Sequence, residues 1–188
     1  MELVVSTYGG DEILGCGILM MRRPKDFFVV VVSASAFQYS DEFPDIRGID
    51  LVLWKKAETV RALKAIGVDS IKFLGHLTIY KKEVMEDLIR LNRRLKPSVI
   101  YFPHINSENL DRKRIAKVCM DLRTDATKVM YQCSDIEADS PSHTIKIGNA
   151  EKEIKDRLIQ VHRSQKRFLQ SEYKKGIYAH YEYFWKVE

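Results

Sequence analysis

Cysteine is scarce and scattered. Cys16, Cys119 and Cys133 are an odd number, and no C-x-x-C occurs. This excludes a disulfide framework and a zinc–thiolate centre. Each cysteine is expected to be a small buried apolar residue. Long apolar runs are missing as well. The longest, residues 27–32, has the length of a strand, against the roughly 20 residues that span a bilayer. The chain shows no basic stretch followed by an apolar one and a small-residue cleavage site, so a cytoplasmic protein without a membrane partner is expected. There is no G-x-G-x-x-G and no Walker lysine, which excludes the common phosphate loops. Nor does a composition break or linker divide the 188 residues. One domain, 1–188, is expected.

An excess of one charge is also modest, 31 basic against 26 acidic residues for a net +5. The basic clusters at 22–25, 93–96, 112–114 and 152–175 mostly have acidic residues within or beside them. They read as solvated helix faces, and nucleic acid is disfavoured as a partner.

What the sequence does contain is alternation. Strands are expected at 3–7, 27–33, 70–74, 98–102 and 128–133, each a short apolar run rich in β-formers. Between them lie helical patterns at 13–21, 53–66, 82–95 and 109–122, with a long one at 151–169. Asp11 is read as an N-cap, and Gly67 as the residue closing the second helix. Gly15 and Gly17 would let the first helix approach a sheet closely. In the long helix Ile154, Leu158, Val161 and Phe168 are expected to face inward. Residues 34–50 and 134–142 read as loops, and the aromatic tail 173–187 as a short strand or a segment packed on the body. The fold class is α/β, a Rossmann-like mostly parallel sheet with helices on both faces. In such sheets ligands sit beyond the carboxyl ends of the strands, where the strand order switches. The first and fourth strands commonly flank that switch. Their loops, 8–12 and 103–112, are dense in polar groups.

Three clusters follow from this. Tyr8-Gly9-Gly10-Asp11-Glu12 places two carboxylates at a helix start. They could bind a cation, or simply cap the helix and complement its dipole. His104 with Glu108, Asn109 and Asp111 is an imidazole–carboxylate loop, or a polar loop with Asn109 or Asp111 as cap. His162-Arg163-Ser164-Gln165 is a helical histidine with polar neighbours. Spacing alone assigns none of them a role.

A set of segments in order carries a resemblance. Ser6–Gly17, S-T-Y-G-G-D-E-I-L-G-C-G, resembles the A-H-P-D-D-E-x-L-G-x-G-G opening of the PIG-L/LmbE family of N-acetylglucosaminyl deacetylases. Lys55-Lys56-Ala57-Glu58, Ala62-Leu63 and Ile66-Gly67-Val68 are similar to its R-x-x-E helix and L-G-V ending. Phe73-Leu74-Gly75 resembles the next strand and loop. Asn109-Leu110-Asp111-Arg112 falls at the H-P-D-H position, His162–Gln165 at H-x-S-Q, and Tyr178–Phe184 at the closing Y-A-E-A-F strand.

The resemblance implies zinc-assisted amide hydrolysis. Two histidines and an aspartate hold the metal, an aspartate is the base, and another histidine assists. At those positions this sequence has Tyr8 for the first zinc histidine, Gly10 for the base, Asn109 for the assisting histidine and Arg112 for the other zinc histidine. Asp11 is the only retained ligand, and Lys55 stands for a substrate-contacting arginine. One carboxylate cannot supply a tetrahedral zinc site. An arginine near it would repel a dication, so an Asp11–Arg112 ion pair is expected in place of a metal.

The resulting expectation is a pseudo-deacetylase that binds a sugar or nucleotide-sugar type ligand, or a partner. Tyr8, Asp11, Lys55, His104, Asn109, Arg112 and His162 would line its site, with no cofactor expected. One alternative is an active hydrolase of sugar conjugates. It would be metal-independent, or would hold zinc or another divalent cation on Asp11, His104, Glu108 and Asp111. Its catalytic candidates are Asp11, Glu12, His104 and Asp111. Another alternative is a basic module for nucleic acid or protein, using 152–175 and the aromatics 178–185. A homo-oligomer stays open.

Overall fold

A computed structural model of the chain describes residues 1–34, 48–133, 136, 140–165, 169 and 180–187. Most of the expected loops 34–50 and 134–142, Phe168, and Tyr178 and Ala179 of the tail lie outside the described residues.

A seven-stranded sheet forms in the order β3-β2-β1-β4-β5-β7-β6. The strands are β1 Glu2–Ser6, β2 Phe27–Ser33, β3 Ile71–His76, β4 Val99–Pro103, β5 Thr127–Tyr131, β6 His143–Lys146 and β7 Tyr181–Lys186. The first five run parallel. β7 pairs antiparallel with both β5 and β6. The order reverses between β1 and β4, so the loops after these two strands open at the switch point, as expected.

Helices α1 Asp11–Arg22, α2 Gly48–Ala65, α3 Lys81–Leu95, α4 Leu110–Asp121 and α5 Asn149–Val161 cover both faces. Strand alternation decides which residue faces which layer. Val4, Val29 and Val31 pack with Leu14, Leu63 and Leu158 of α1, α2 and α5. Leu3, Val5, Val30 and Val32 pack with Leu88 and Ile115 of α3 and α4. A parallel strand buried on both faces reads as a continuous apolar run, which is why the sequence pattern of β2 was legible. No helix among the described residues is long and apolar enough to cross a membrane. The three cysteines are buried and free.

Several expectations need correction. Asp11 is not a cap: Gly10, at φ 106°, holds the N-cap position, and Asp11 is spent on an ion pair. α2 begins at Gly48, before the expected residue 53, and β6 was not foreseen. The long helix stops at Val161, with His162 as its C-cap. Ile154 is exposed (39%) rather than inward. The chain leaves the helix because a short 3₁₀ turn, Arg163–Gln165, is pulled onto α2 and the Tyr8–Gly10 turn by the hydrogen bonds described below. Gly15 meets the sheet as expected: a Cβ there would lie 2.2 Å from Tyr131. Gly17 also faces the sheet, at Glu182 of β7, but with ordinary clearance, 3.7 Å from an added Cβ.

Candidate functional site

The β1–α1 turn and the β4–α4 loop meet through side chains. Arg112, the third residue of α4, donates from Nε to Asp11 Oδ2 (3.2 Å) and from Nη2 to Asp11 Oδ1 (2.5 Å). Both side chains are 1% exposed. Beside them Tyr8 Oη donates to Asp111 Oδ2 at 2.6 Å, and Asp111 also accepts from Arg114 at 2.9 Å. Burial and the Asp111 bond push the Tyr8 phenol far above its usual range. Asn109 caps α4 by accepting from the backbone N–H groups of Asp111 and Arg112 (3.0 and 3.1 Å).

Gly10 is held by contacts that leave no room for a side chain. An added Cβ would lie 3.0 and 3.1 Å from the two methyl carbons of Leu169, on a backbone at positive φ that L-residues rarely adopt. Glu12, fully buried, accepts from the Gly10 N–H on both carboxylate oxygens and contacts Ser6 Oγ at 2.7 Å. Burial raises its pKa to about 7.

The turn is clamped from behind by the 3₁₀ turn. Ser164 donates from its backbone N–H and its hydroxyl to the buried Glu58 carboxylate of α2 (3.0 and 2.5 Å). Gln165 Nε2 donates to the Gly9 carbonyl at 2.9 Å. Gly9 itself lies against Thr59, whose Oγ1 would be 2.0 Å from a Cβ there. Between Tyr8, Lys55, Thr59 and Gln165 the free volume is about 20 Å³, room for a single water. Lys55 is half-buried there, and burial lowers its pKa to about 8.

Solved structures share this architecture. A chitobiose deacetylase (N,N'-diacetylchitobiose) from Pyrococcus horikoshii matches with TM-score 0.79 and 16% identity, over 99% of this chain and 83% of its own. A deacetylase of teicoplanin biosynthesis matches with TM-score 0.77 and 12% identity, over 100% and 98%. The chain has the PIG-L/LmbE deacetylase fold. A 4-carboxy-2-hydroxymuconate hydratase from Pseudomonas putida matches as well, with TM-score 0.70 and 13% identity, over 100% and 95%. This fold therefore does not fix one chemistry. No family model and no curated protein matches the sequence.

The zinc that the PIG-L/LmbE deacetylase fold implies does not fit the residues present. The retained carboxylate, Asp11, carries a guanidinium on both oxygens, and Leu169 packs where a base side chain would extend from position 10. Among the described residues no three His, Cys, Asp or Glu side chains are grouped to hold a metal. This corrects the displaced oxygen-rich site considered above: Asp11, His104, Glu108 and Asp111 do not converge. His104 accepts from the Asn106 N–H on Nδ1 (3.1 Å) and meets Trp185 edge-on at 4.7 Å. His162 is not available to a ligand either. It is fully buried, neither ring nitrogen has a hydrogen-bond partner among the described residues, and burial lowers its pKa to about 4.

Sequence reasoning missed the Lys155–Glu182 pair, which is fully buried. Lys155 Nζ donates to Glu182 Oε1 (2.8 Å) and to the Leu14 carbonyl (2.7 Å). Glu182 accepts from the Ile18 and Leu19 N–H groups (2.7 and 3.1 Å). Leu14 C=O and Ile18 N–H are the acceptor and donor that an α-helix joins to each other. The ion pair takes up both, tying α5 and β7 into the middle of α1.

Glu12 and His162 make opposite contributions to stability against pH. Glu12 holds its proton more tightly when folded, so its contribution is full below about pH 4.5 and is lost as pH rises towards 7. His162 resists protonation when folded, so its contribution is full above about pH 6.5 and is lost as pH falls towards 4. Each slope is at most about 1.4 kcal/mol per pH unit, and the two oppose each other across pH 4.5–6.5. Urea titrations over that range are expected to show Glu12→Gln stability rising with pH and His162→Phe stability falling with pH. Parallel curves for the two variants would contradict the assignment.

Proposed function

We propose that this chain is a pseudo-deacetylase: a protein of the deacetylase fold that binds without hydrolysing. The observation that carries the reading is the buried two-point ion pair of Arg112 on Asp11. Charge neutralisation inside the former metal position removes both the seat for a dication and the open coordination site from which water would attack. Gly10 under Leu169 supplies no general base. The ligand proposed is of sugar or nucleotide-sugar type. A space the size of one water cannot enclose a sugar, so such a ligand would rest across the mouth formed by Tyr8 and Lys55, with the lysine meeting an anionic group. Its class follows the compound in the name of the chitobiose deacetylase, carried over as part of this proposal.

The test has two arms. Calorimetric titration with zinc is expected to give no tight stoichiometric site, and incubation with N,N'-diacetylchitobiose is expected to release no acetate, with or without zinc or manganese. Saturation-transfer NMR with N,N'-diacetylchitobiose and UDP-N-acetylglucosamine is expected to show contact that Lys55→Glu removes. Acetate release abolished by Asp11→Ala would show an active hydrolase instead. Absence of contact with either sugar would remove the ligand class.

A further inference from the structure

We propose that a groove at the end of the sheet opposite the Tyr8–Asp111 contact binds a small aromatic anion, an aryl carboxylate being the simplest member of the class. This proposal stands apart from the pseudo-deacetylase reading and uses none of its residues.

The groove lies where Leu19 and Arg23, from the end of α1, meet the face of β4, β5, β7 and β6. It is an open groove of about 340 Å³, within the roughly 300–1,000 Å³ of small-molecule sites. The register explains its floor. Tyr101 pairs with Val129 across β4 and β5, Val129 with Lys186, and Phe184 with His143. These residues therefore share one face of the sheet. Tyr101 and Phe184 are buried and meet edge-on at 5.9 Å and 74°. Val129 lies in the floor with them, and Leu19 and Ile145 form apolar sides. Such a floor accepts a flat ring in offset or edge contact.

The rim supplies the charge. Among the described residues, those of its lining that carry or can take up positive charge are Arg23, His143 and Lys186, and none of the lining residues is a carboxylate. Arg23 is neutralised and held in place by two carboxylates, Glu2 and, at 3.6 Å, Asp26. It donates to both oxygens of Glu2 (2.9 and 3.2 Å), and its guanidinium carbon sits 5.5 Å from the centre of the Phe27 ring. The Tyr101 hydroxyl is turned away, donating to the same Glu2 at 3.0 Å. Lys186 and His143, both exposed, are left to receive an anionic substituent on the ring. With Arg23 neutralised, the Lys186 ammonium is the charge facing the groove among the described residues, and it favours an anion over a neutral or cationic ring of the same shape.

The probe is 2-naphthoate, titrated into the full ¹⁵N-labelled chain and followed by amide shifts. One saturable site is expected, with shifts centred on Leu19, Tyr101, Val129, Phe184 and Lys186. Val129→Trp fills the groove and is expected to weaken binding by roughly tenfold or more. Lys186→Glu, on an exposed side chain that folding does not need, is expected to weaken it by a similar factor, as is replacing the probe with neutral 2-naphthamide. Should Val129→Trp fail to fold, Lys186→Glu and the amide decide the matter. Unsaturable binding, shifts centred elsewhere, or equal affinity for naphthamide and naphthoate would each overturn the proposal.

Discussion

Replacing Arg112 with leucine is expected to destabilise the chain by about 3–5 kcal/mol, the range for breaking a fully buried ion pair from one side. Asp11 would be left as a carboxylate 1% exposed, retaining among the described residues a long contact from the Tyr8 N–H at 3.3 Å. The neighbouring side chains do not replace the guanidinium: Asn109 is spent on the helix cap, Asp111 is itself a carboxylate, and Arg114 is exposed and paired with Asp111. A lysine replacement offers a single point of charge where two converge, so Arg112→Lys is expected to recover only part of the loss. The informative variant is the double one, Asp11→Leu with Arg112→Met. Removing both charges together is often neutral or stabilising, and the double variant should stand well above either single one in urea denaturation. An additive double variant would mean that the pair is not coupled, and the argument that Arg112 seals the metal position would fall with it.

Glu182→Leu is the second substitution with a large expected effect, again about 3–5 kcal/mol. It strands the fully buried Lys155 ammonium and removes the acceptor of the Ile18 and Leu19 N–H groups. The loss is not confined to charge. α1 gives its Leu14 carbonyl to Lys155 and its Ile18 amide to Glu182, so the helix is joined to α5 and β7 through its own backbone groups. Burial favours the protonated form of Glu182, while Lys155 and the two amides oppose that shift. Glu182→Gln keeps an acceptor for the amides, and its deficit should fall between those of the wild type and Glu182→Leu. Hydrogen exchange at Ile18 and Leu19 would report the contact directly. Faster exchange at those amides is expected in both variants, with the larger increase in Glu182→Leu. Unchanged exchange would show that α1 does not depend on the pair.

Much of the site was legible before any coordinate, and the pattern of what was not is informative. The Asp11–Arg112 pair could be anticipated because two segments with recognisable neighbours placed an acid and a base at the switch point. Glu12 and Glu58 gave no local sign of their burial. The Lys155–Glu182 pair had a weak sign. Glu182 shares the period-2 face of Phe184 in β7, and Lys155 precedes Leu158 and Ile159 by three and four positions in α5, so both fall on inward stripes. Polar residues on inward stripes are easily set aside as exceptions, and nothing in either segment names its partner. The surroundings of His104 are not announced by its own segment. Its loop is polar, but its ring packs against Trp185, which the chain supplies 81 residues later.

The positions of β1 to β5, their alternation with helices and the switch point follow from local order, because side-chain period and turn chemistry act over a few neighbours. The end of α5, the filling of position 10 by Leu169 and the groove rimmed by Lys186 and His143 do not. Each depends on which distant segment arrives alongside, and that is set by the packing of layers around the sheet. The sequence alone decided that an acid, Asp11, and a base, Arg112, would stand on the two loops at the switch point. The tertiary structure decided that the two meet fully buried in a two-point ion pair, because the packing of α1 and α4 on the sheet shuts water out.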